Sequence, residues 1–164
     1  MIITRTPVRL SLGGGGTDIL SYSSTYGGLV LSATIDKYVF INVNPRPLDS
    51  RIRVSYSETE TVQSSCEIKH PLIREALRLT KIKGGLEITS IADVPANSGL
   101  GTSGSFTTGL LLALHTLKRE SISTHDLAEE ACSIEIDTLK EPIGKHDQFM
   151  AAYGGITCLM IEPD

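Results

Sequence analysis

The chain has 164 residues, a length that fits one domain with a substantial hydrophobic core. Its 15 Lys and Arg residues are outnumbered by 19 Asp and Glu residues, which gives a net charge of −4. This acidic balance, together with the absence of Trp, argues against nucleic acid and anionic membranes as partners.

Hydropathy patterns predict an α+β order of elements along the chain. Val, Ile and aromatic residues concentrate in segment 36–44, which is the strongest strand signal. Helix signals include Pro71 at a first helical position and the pair Ser123 and Asp126, which has the spacing of a capping box. We expect strands at residues 2–5, 8–12, 29–33, 36–44, 51–56 and 86–91, and helices at 71–80, 106–118 and 123–140.

The cysteines and the N-terminus favour a cytoplasmic protein. Cys66, Cys132 and Cys158 show no metal-binding spacing, so we expect reduced thiols. Residues 1–5 contain no apolar signal core, and no apolar run reaches the roughly 20 residues that a bilayer-spanning helix needs. We therefore expect a cytoplasmic location without membrane contact.

The most informative segment is the glycine-rich loop 95–105, which precedes the predicted helix 106–118. It contains three glycines and four hydroxyl side chains. Glycine lets backbone approach a ligand closely, and a helix start offers unpaired N–H groups and a positive dipole end. These features together predict an anion site, with phosphate as the expected anion.

Three interpretations of this loop compete. Gly99, Gly101 and Gly104 have the spacing of a dinucleotide fingerprint, but a polar stretch separates them from the predicted strand 86–91. The next acidic residue, Glu120, lies at a helix end rather than on a second strand. A Walker P-loop is excluded because no Gly-Lys-Ser/Thr closes the loop. The remaining alternative is an ordinary glycine-rich turn before a helix.

A second glycine cluster, residues 13–16, lies between Arg9 and Asp18. Four consecutive glycines cost backbone entropy and add nothing to a core, so they suit a backbone that bends tightly against something. Asp18 offers a carboxylate for sugar hydroxyls, and Arg9 offers a permanent positive charge for phosphate. A flexible turn with Asp18 at a helix N-cap is the alternative.

A third cluster, residues 142–148, is rich in polar groups and is predicted to be non-helical. Asp147 lies beside the cations of this segment, and Glu135 precedes it by twelve residues on the predicted helix 123–140. One carboxylate could serve as a base and the other as a metal ligand. A solvated charged loop is the alternative.

Taken in order, the three clusters resemble the motifs of the GHMP kinase superfamily, named after galactokinase, homoserine kinase, mevalonate kinase and phosphomevalonate kinase. The family's Pro-x-Arg, glycine turn and Thr-Asp are matched by Pro7, Arg9, Gly14, Thr17 and Asp18. Its phosphate loop is matched by Pro95, Gly99, Leu100, Gly101, Thr102 and Ser103. Its Gly-x-x-Asp-Gln segment is matched by Gly144, Asp147 and Gln148, and Glu135 has the place of its metal-ligand glutamate.

The resemblance implies a ribosomal protein S5 domain 2-like fold, with helices packed on one face of a mixed sheet, and a kinase that uses ATP and Mg²⁺. Arg9 and Asp147 would be catalytic, and Ser103 and Glu135 would hold the metal. The implied nucleotide-binding residues are Pro95, Asn97, Ser98, Gly99, Leu100, Gly101, Thr102, Ser103 and Gly104. The implied substrate-binding residues are Gly14, Gly15, Thr17, Asp18, Lys145 and His146.

Within the superfamily, residues 2–9, 14–18 and 144–148 resemble those of bacterial heptose 7-phosphate kinases. This implies phosphorylation of the anomeric C1 hydroxyl of D-glycero-D-manno-heptose 7-phosphate, for synthesis of nucleotide-activated heptose and surface glycans. Arg5, Lys145 and His146 are the candidates for binding the 7-phosphate. The alternatives are another sugar 1-kinase, of the fucokinase or galactokinase kind, and a truncated nucleotide-binding remnant without activity.

Family members usually have roughly double this length, and their C-terminal domain carries a third glycine-rich motif that this sequence does not contain. We expect residues 1–164 to form the N-terminal ATP- and substrate-binding domain, with the C-terminal GHMP domain absent. An apolar sheet face would then be left open, which suits a homo-oligomer or a missing C-terminal half as partner.

Overall fold

The computed structural model describes residues 1–163 as one mixed sheet with helices packed against it. The strands are β1 (Ile2–Gly13), β2 (Gly28–Pro45), β3 (Ile52–Ser55), β4 (Thr59–Val62), β5 (Leu86–Ala92) and β6 (Ile156–Ile161). The α-helices are α1 (Leu20–Tyr26), α2 (Pro71–Leu79), α3 (Thr102–Lys118), α4 (Thr124–Cys132) and α5 (His146–Tyr153). A 3₁₀ turn spans Ser65–Glu67, and a π-helical segment, Ser133–Thr138, continues α4.

The long strand β2 organises the sheet, whose strand order is β1-β2-β5-β3-β4. One edge of β2 pairs with β1, and the pairing extends from Ile2 to Gly13 of β1. Its first part, from Gly28 to Ala33, also pairs with β6, and its second part, from Val39 to Pro45, pairs with β5. The β3–β5 pair is parallel and the other pairs are antiparallel, so the sheet is mixed as predicted.

The hydrophobic core lies between one face of this sheet and the helices. Alternate residues of β2 (Val39, Ile41 and Val43) are buried, as strand geometry requires for one covered face. Leu110 and Leu114 of α3 are also fully buried in this core. Burying each such side chain stabilises the fold by roughly 1.5–3 kcal/mol. The predicted α+β class with helices on one face is confirmed.

Several strand boundaries differ from the predictions. Residues 2–5 and 8–12 belong to one strand, β1, because a register shift between Pro7 and Arg9 accommodates the missing N–H of the proline. Segments 29–33 and 36–44 likewise join in β2. The short β4 and α1 were not predicted, since neither carries a periodic apolar pattern.

Two helix starts also differ, and both lie in the candidate site. Helix α3 begins at Thr102, not at residue 106, so three of the four hydroxyl residues of the loop, Thr102, Ser103 and Ser105, lie in its first turn. Helix α5 begins at His146, although segment 142–148 was predicted to be non-helical. The predicted helix 123–140 becomes π-helical at Ser133. Within residues 1–163, no helix combines the length and apolarity needed to cross a membrane.

Candidate active site

The start of α3 has the features of an anion site. The helix begins directly after its N-cap residue, Gly101, which has no side chain to cap the first N–H groups. The helix has 17 residues, and its dipole places partial positive charge at this end. The preceding residues Pro95, Asn97, Ser98 and Gly99 are exposed. An anion such as phosphate could therefore reach the backbone N–H groups at this helix start.

Arg9 connects the first two clusters of the sequence. Its backbone N–H donates to the Leu100 carbonyl at 2.9 Å. Its guanidinium donates to the Gly99 carbonyl at 2.6 Å and to Asp147 Oδ1 at 2.8 Å. One side chain thus holds the glycine loop and the third cluster together, with its charge beside the anion site.

Asp147 lies directly against the first turn of α3. A Cβ atom on Gly104 would be only 2.9 Å from the Asp147 Cβ, so glycine at this position lets α5 approach α3. Burial alone would raise the pKa of Asp147, but hydrogen bonds and positive charge from His146 and Arg9 lower it below its usual value. Asp147 is therefore ionised at neutral pH and is a weak base.

The π-helical segment places Glu135 beneath the same loop. Glu135 is fully buried, and the Ser103 hydroxyl donates to its Oε2 atom. Among residues 1–163 its buried Oε1 atom has no hydrogen-bond partner, and burial raises the pKa of this carboxyl. An unpaired buried carboxylate oxygen beside a hydroxyl suits a hard cation such as Mg²⁺. Within the described part of the chain, no group of three or more His, Cys, Asp or Glu residues converges as a metal site.

Asp18 and His146 form the wall behind Asp147. The Asp18 side chain is 2% exposed, and its Oδ2 atom accepts from the His146 backbone N–H at 3.1 Å. This contact caps α5 from 128 positions away in the sequence, which explains why local patterns did not predict a helix there. A Cβ on Gly144 would overlap the Asp18 carboxylate, so only glycine lets the chain pass this close.

The remaining residues predicted to bind the substrate lie in different surroundings, and each is described here by its own contacts. Gly14 and Gly15 are exposed in a turn that Thr17 closes by donating to the Gly14 carbonyl at 2.8 Å. Lys145 lies 2.9 Å from Glu129 of α4 in an ion pair. Arg5 packs over the Tyr38 ring at 4.4 Å. Contacts of these residues with a sugar stay predictions.

Sequence reasoning missed two features of the site. Gln148 is fully buried and its side-chain nitrogen has no partner among the described residues, a detail that its place in the motif could have suggested. The contact of His146 with both Asp18 and Asp147 carries no sequence signal, because it depends on how α5 meets the turn before α1.

The fold is an α+β domain in which Arg9 and Asp147 meet at the exposed start of helix α3. Residues 68–155, more than half of the chain, match the family described as GHMP kinases N terminal domain. The chain therefore belongs to the GHMP kinases, as the motifs indicated.

Within this family, the chain is similar to several sugar kinases. D-glycero-alpha-D-manno-heptose 7-phosphate kinase of Campylobacter jejuni subsp. jejuni serotype O:2 is 32% identical over 165 residues, which cover 94% of this chain and 49% of that protein. A crystal structure of a D-glycero-D-manno-heptose 1-phosphate kinase from Bacteriodes thetaiotaomicron superposes with a TM-score of 0.90 at 27% identity, covering 99% of this chain and 57% of that one. A putative sugar kinase from Campylobacter jejuni gives 0.80 at 29% identity, with 98% and 52% covered. The chain thus spans about half the length of these relatives.

Proposed function

We propose that this chain is the ATP- and substrate-binding half of a sugar kinase. The reaction would transfer the γ-phosphoryl group of ATP to the anomeric C1 hydroxyl of D-glycero-D-manno-heptose 7-phosphate. The observation that carries the proposal is the convergence of Arg9 and Asp147 on the uncapped start of α3. The heptose comes from the names of the related kinases, and an ATP-dependent reaction favours a cytoplasmic location.

In phosphoryl transfer the protein mainly positions the reacting groups and neutralises charge, because the transition state is loose. The N–H groups at the start of α3 would bind the β- and γ-phosphates. The predicted loop residues from Pro95 to Gly104 would surround them, and Arg9 would neutralise charge on the transferred group.

Asp147 would orient the sugar hydroxyl and accept its proton late in the reaction. Its lowered pKa makes early abstraction from an alcohol unfavourable. The anomeric hydroxyl is the most acidic hydroxyl of a sugar, which reduces this mismatch. The O–H proton would pass to Asp147 as the new P–O bond forms and the bond to ADP breaks.

Ser103 and Glu135 would hold Mg²⁺, which supplies positive charge to the phosphate oxygens when bound. The unpaired Oε1 atom of Glu135 supports this assignment. On the sugar side, the exposed Gly14 and Gly15 would admit the substrate, with Thr17 and Lys145 beside it. Lys145 is a candidate for the 7-phosphate, provided that it leaves Glu129.

A kinase assay on the 164-residue chain with ATP, Mg²⁺ and heptose 7-phosphate tests the proposal. Turnover with heptose 7-phosphate that exceeds turnover with fucose or galactose is the expected result. Preference for an unphosphorylated sugar would favour another sugar 1-kinase. If the chain binds ATP without turnover, also after a relative's C-terminal half is added, the result would favour a nucleotide-binding remnant. It would contradict the proposal that the chain is part of a sugar kinase.

A further inference from the structure

Three charged side chains form a continuous line behind the start of α3. His146 Nδ1 lies 2.7 Å from Asp18 Oδ2, and His146 Nε2 lies 2.8 Å from Asp147 Oδ1. We infer that His146 is a positioning residue that fixes Asp147, and that Asp18 acts through His146 rather than as a sugar ligand. The inference rests on the proposed function only in that Asp147 is taken to contact the reacting hydroxyl.

The surroundings of Asp18 favour an internal role. Its side chain is 2% exposed, and one carboxylate oxygen accepts from both the backbone N–H and the ring of His146. The chain at Gly144 passes so close that no Cβ fits between it and this carboxylate. A sugar hydroxyl would have to displace these packed groups to reach the same oxygen.

The two oxygens of Asp147 are used unequally. Oδ1 meets His146 and the Arg9 guanidinium, whose closest nitrogen lies at 2.6 Å. Oδ2 instead faces the phosphate loop, since it lies 3.2 Å from the position of a Cβ on Gly101. Two cations thus hold one oxygen and leave the other directed at the loop, which is the geometry that an orienting carboxylate needs.

Among the described residues, the Nδ1 atom of His146 is hydrogen-bonded to Asp18, whereas Nε2 approaches Asp147 Oδ1 to 2.8 Å without the geometry of a hydrogen bond. So close an approach of the ring to a second carboxylate is favourable when the imidazole is protonated and carries a positive charge. Burial alone would lower the pKa of His146, but hydrogen bonds and charge from Asp147 and Asp18 raise it to about 9. The charged groups around the ring are Asp18, Asp147 and, behind Asp147, Arg9. The neighbouring Lys145 is directed to Glu129 instead. If the protonated His146 ring lost one proton, its attraction to one of the two carboxylates, Asp18 or Asp147, would therefore be lost.

Nitrogen-15 NMR of histidine-labelled 164-residue protein tests the line of contacts without any substrate. We expect both ring nitrogens of His146 to be protonated at pH 7.5 and to titrate near pH 9. Asp18→Asn should lower that midpoint by about one to three units, because it removes one opposite charge. The exposed His125 provides the control, and His125→Asn should leave the His146 titration unchanged. A midpoint near about 6.5, or no response to Asp18→Asn, would overturn the inference.

Kinetics separates a positioning role from sugar binding. For Asp18→Asn and His146→Asn we expect kcat to fall by about tenfold or more while the KM values for ATP and sugar stay within about twofold. The alkaline fall of kcat should move to lower pH in Asp18→Asn. A raised sugar KM with normal kcat would make Asp18 a sugar ligand and contradict our assignment. If the wild-type chain shows no turnover, also after a relative's C-terminal half is added, the proposed function fails, whereas the NMR titration still decides whether His146 bridges the two carboxylates.

Discussion

At the scale of single residues, Asp147 is where the charges of the site converge. Its side chain contacts Arg9 of β1 and His146 of its own helix, and it lies next to the glycine-rich loop. The motif resemblance predicted that Arg9 and Asp147 share a site. It did not predict their direct ion pair, because side-chain directions at a bulged strand and a helix start depend on tertiary packing.

Asp147→Asn should lower kcat by roughly 10²–10⁴-fold with little change in ATP affinity. The amide keeps the shape of the side chain but cannot accept the proton, while the N–H groups proposed to bind phosphate are untouched. Steady-state kinetics and ATP titration measure the two effects. Asp137→Asn, at an exposed carboxylate, is the matched control and should leave both values unchanged. Near-normal turnover in Asp147→Asn would remove its catalytic role.

Glu135→Gln should stabilise the metal-free protein and impair its use of Mg²⁺. The raised pKa of Glu135 means that its ionised form is disfavoured by folding, and a neutral amide removes that cost. Each kcal/mol gained should raise Tm by about 2–4 °C. The Mg²⁺ concentration for half-maximal turnover should rise.

Ser103→Ala separates the two effects of Glu135→Gln. It should also raise the Mg²⁺ requirement, but without the gain in Tm, because the buried charge remains. Thermal melts without metal and Mg²⁺ titrations of turnover test both variants. An unchanged Mg²⁺ requirement in both would place the ligands elsewhere.

The charged state of His146 should make stability fall in alkaline solution. Its folded pKa of about 9 exceeds the unfolded value of about 6.5. Its stabilising contribution is therefore complete below the unfolded value and is lost as the pH rises through the folded one. Urea denaturation at pH 6.0, 7.5 and 9.5 should show this decline, and His146→Asn should flatten it. The same alkaline slope in wild type and His146→Asn would contradict the assignment.

At the scale of elements, the crossing of α3 and α5 builds the site. Gly104→Ala should destabilise the protein by about 1–3 kcal/mol, although alanine is the better helix former, because the added Cβ would press on Asp147 and on the Gln148 backbone. Thr116→Ala, at an exposed position of the same helix, should be neutral or slightly stabilising. Urea melts measure both. A stabilised Gly104→Ala variant would show that the helices separate without cost.

Elements with local signals were predicted well, and those defined by distant partners were not. Helix α2 begins at Pro71, as predicted, because proline suits the first helical position. Helix α5 was missed because its cap, Asp18, is supplied by another part of the chain. The π-helical turn around Glu135 was also missed, because the spacing of its apolar residues is the same as in a continuous α-helix.

At the scale of the whole molecule, the apolar face formed by the start of β2 and by β6 stands out. Cross-strand neighbours there include Leu29 with Met160 and Ala33 with Ile156, and Ile156 is 78% exposed. Large exposed apolar surfaces favour association. Together with the greater length of the relatives, this face suits a partner domain or a second copy.

The 164-residue chain should therefore self-associate in sedimentation experiments at micromolar concentration. Ile156→Lys should shift it toward monomer, because a charge on this face must be desolvated in any interface. Leu48→Lys, at an exposed apolar residue outside the face, is the control and should not change association. A wild-type monomer that remains soluble would contradict the prediction.

The ion pair between Arg9 and Asp147 joins residues 138 positions apart, and this separation has a consequence for the order of events during synthesis. Contacts between distant parts of a chain form late, because closing long loops costs entropy before any contact repays it. The β1–β2 ladder can form as soon as β2 has been made, but the phosphate loop lacks Asp147 until α5 has left the ribosome. The contact between Arg9 and Asp147 would therefore form only late in the synthesis of this domain, after the β1–β2 ladder.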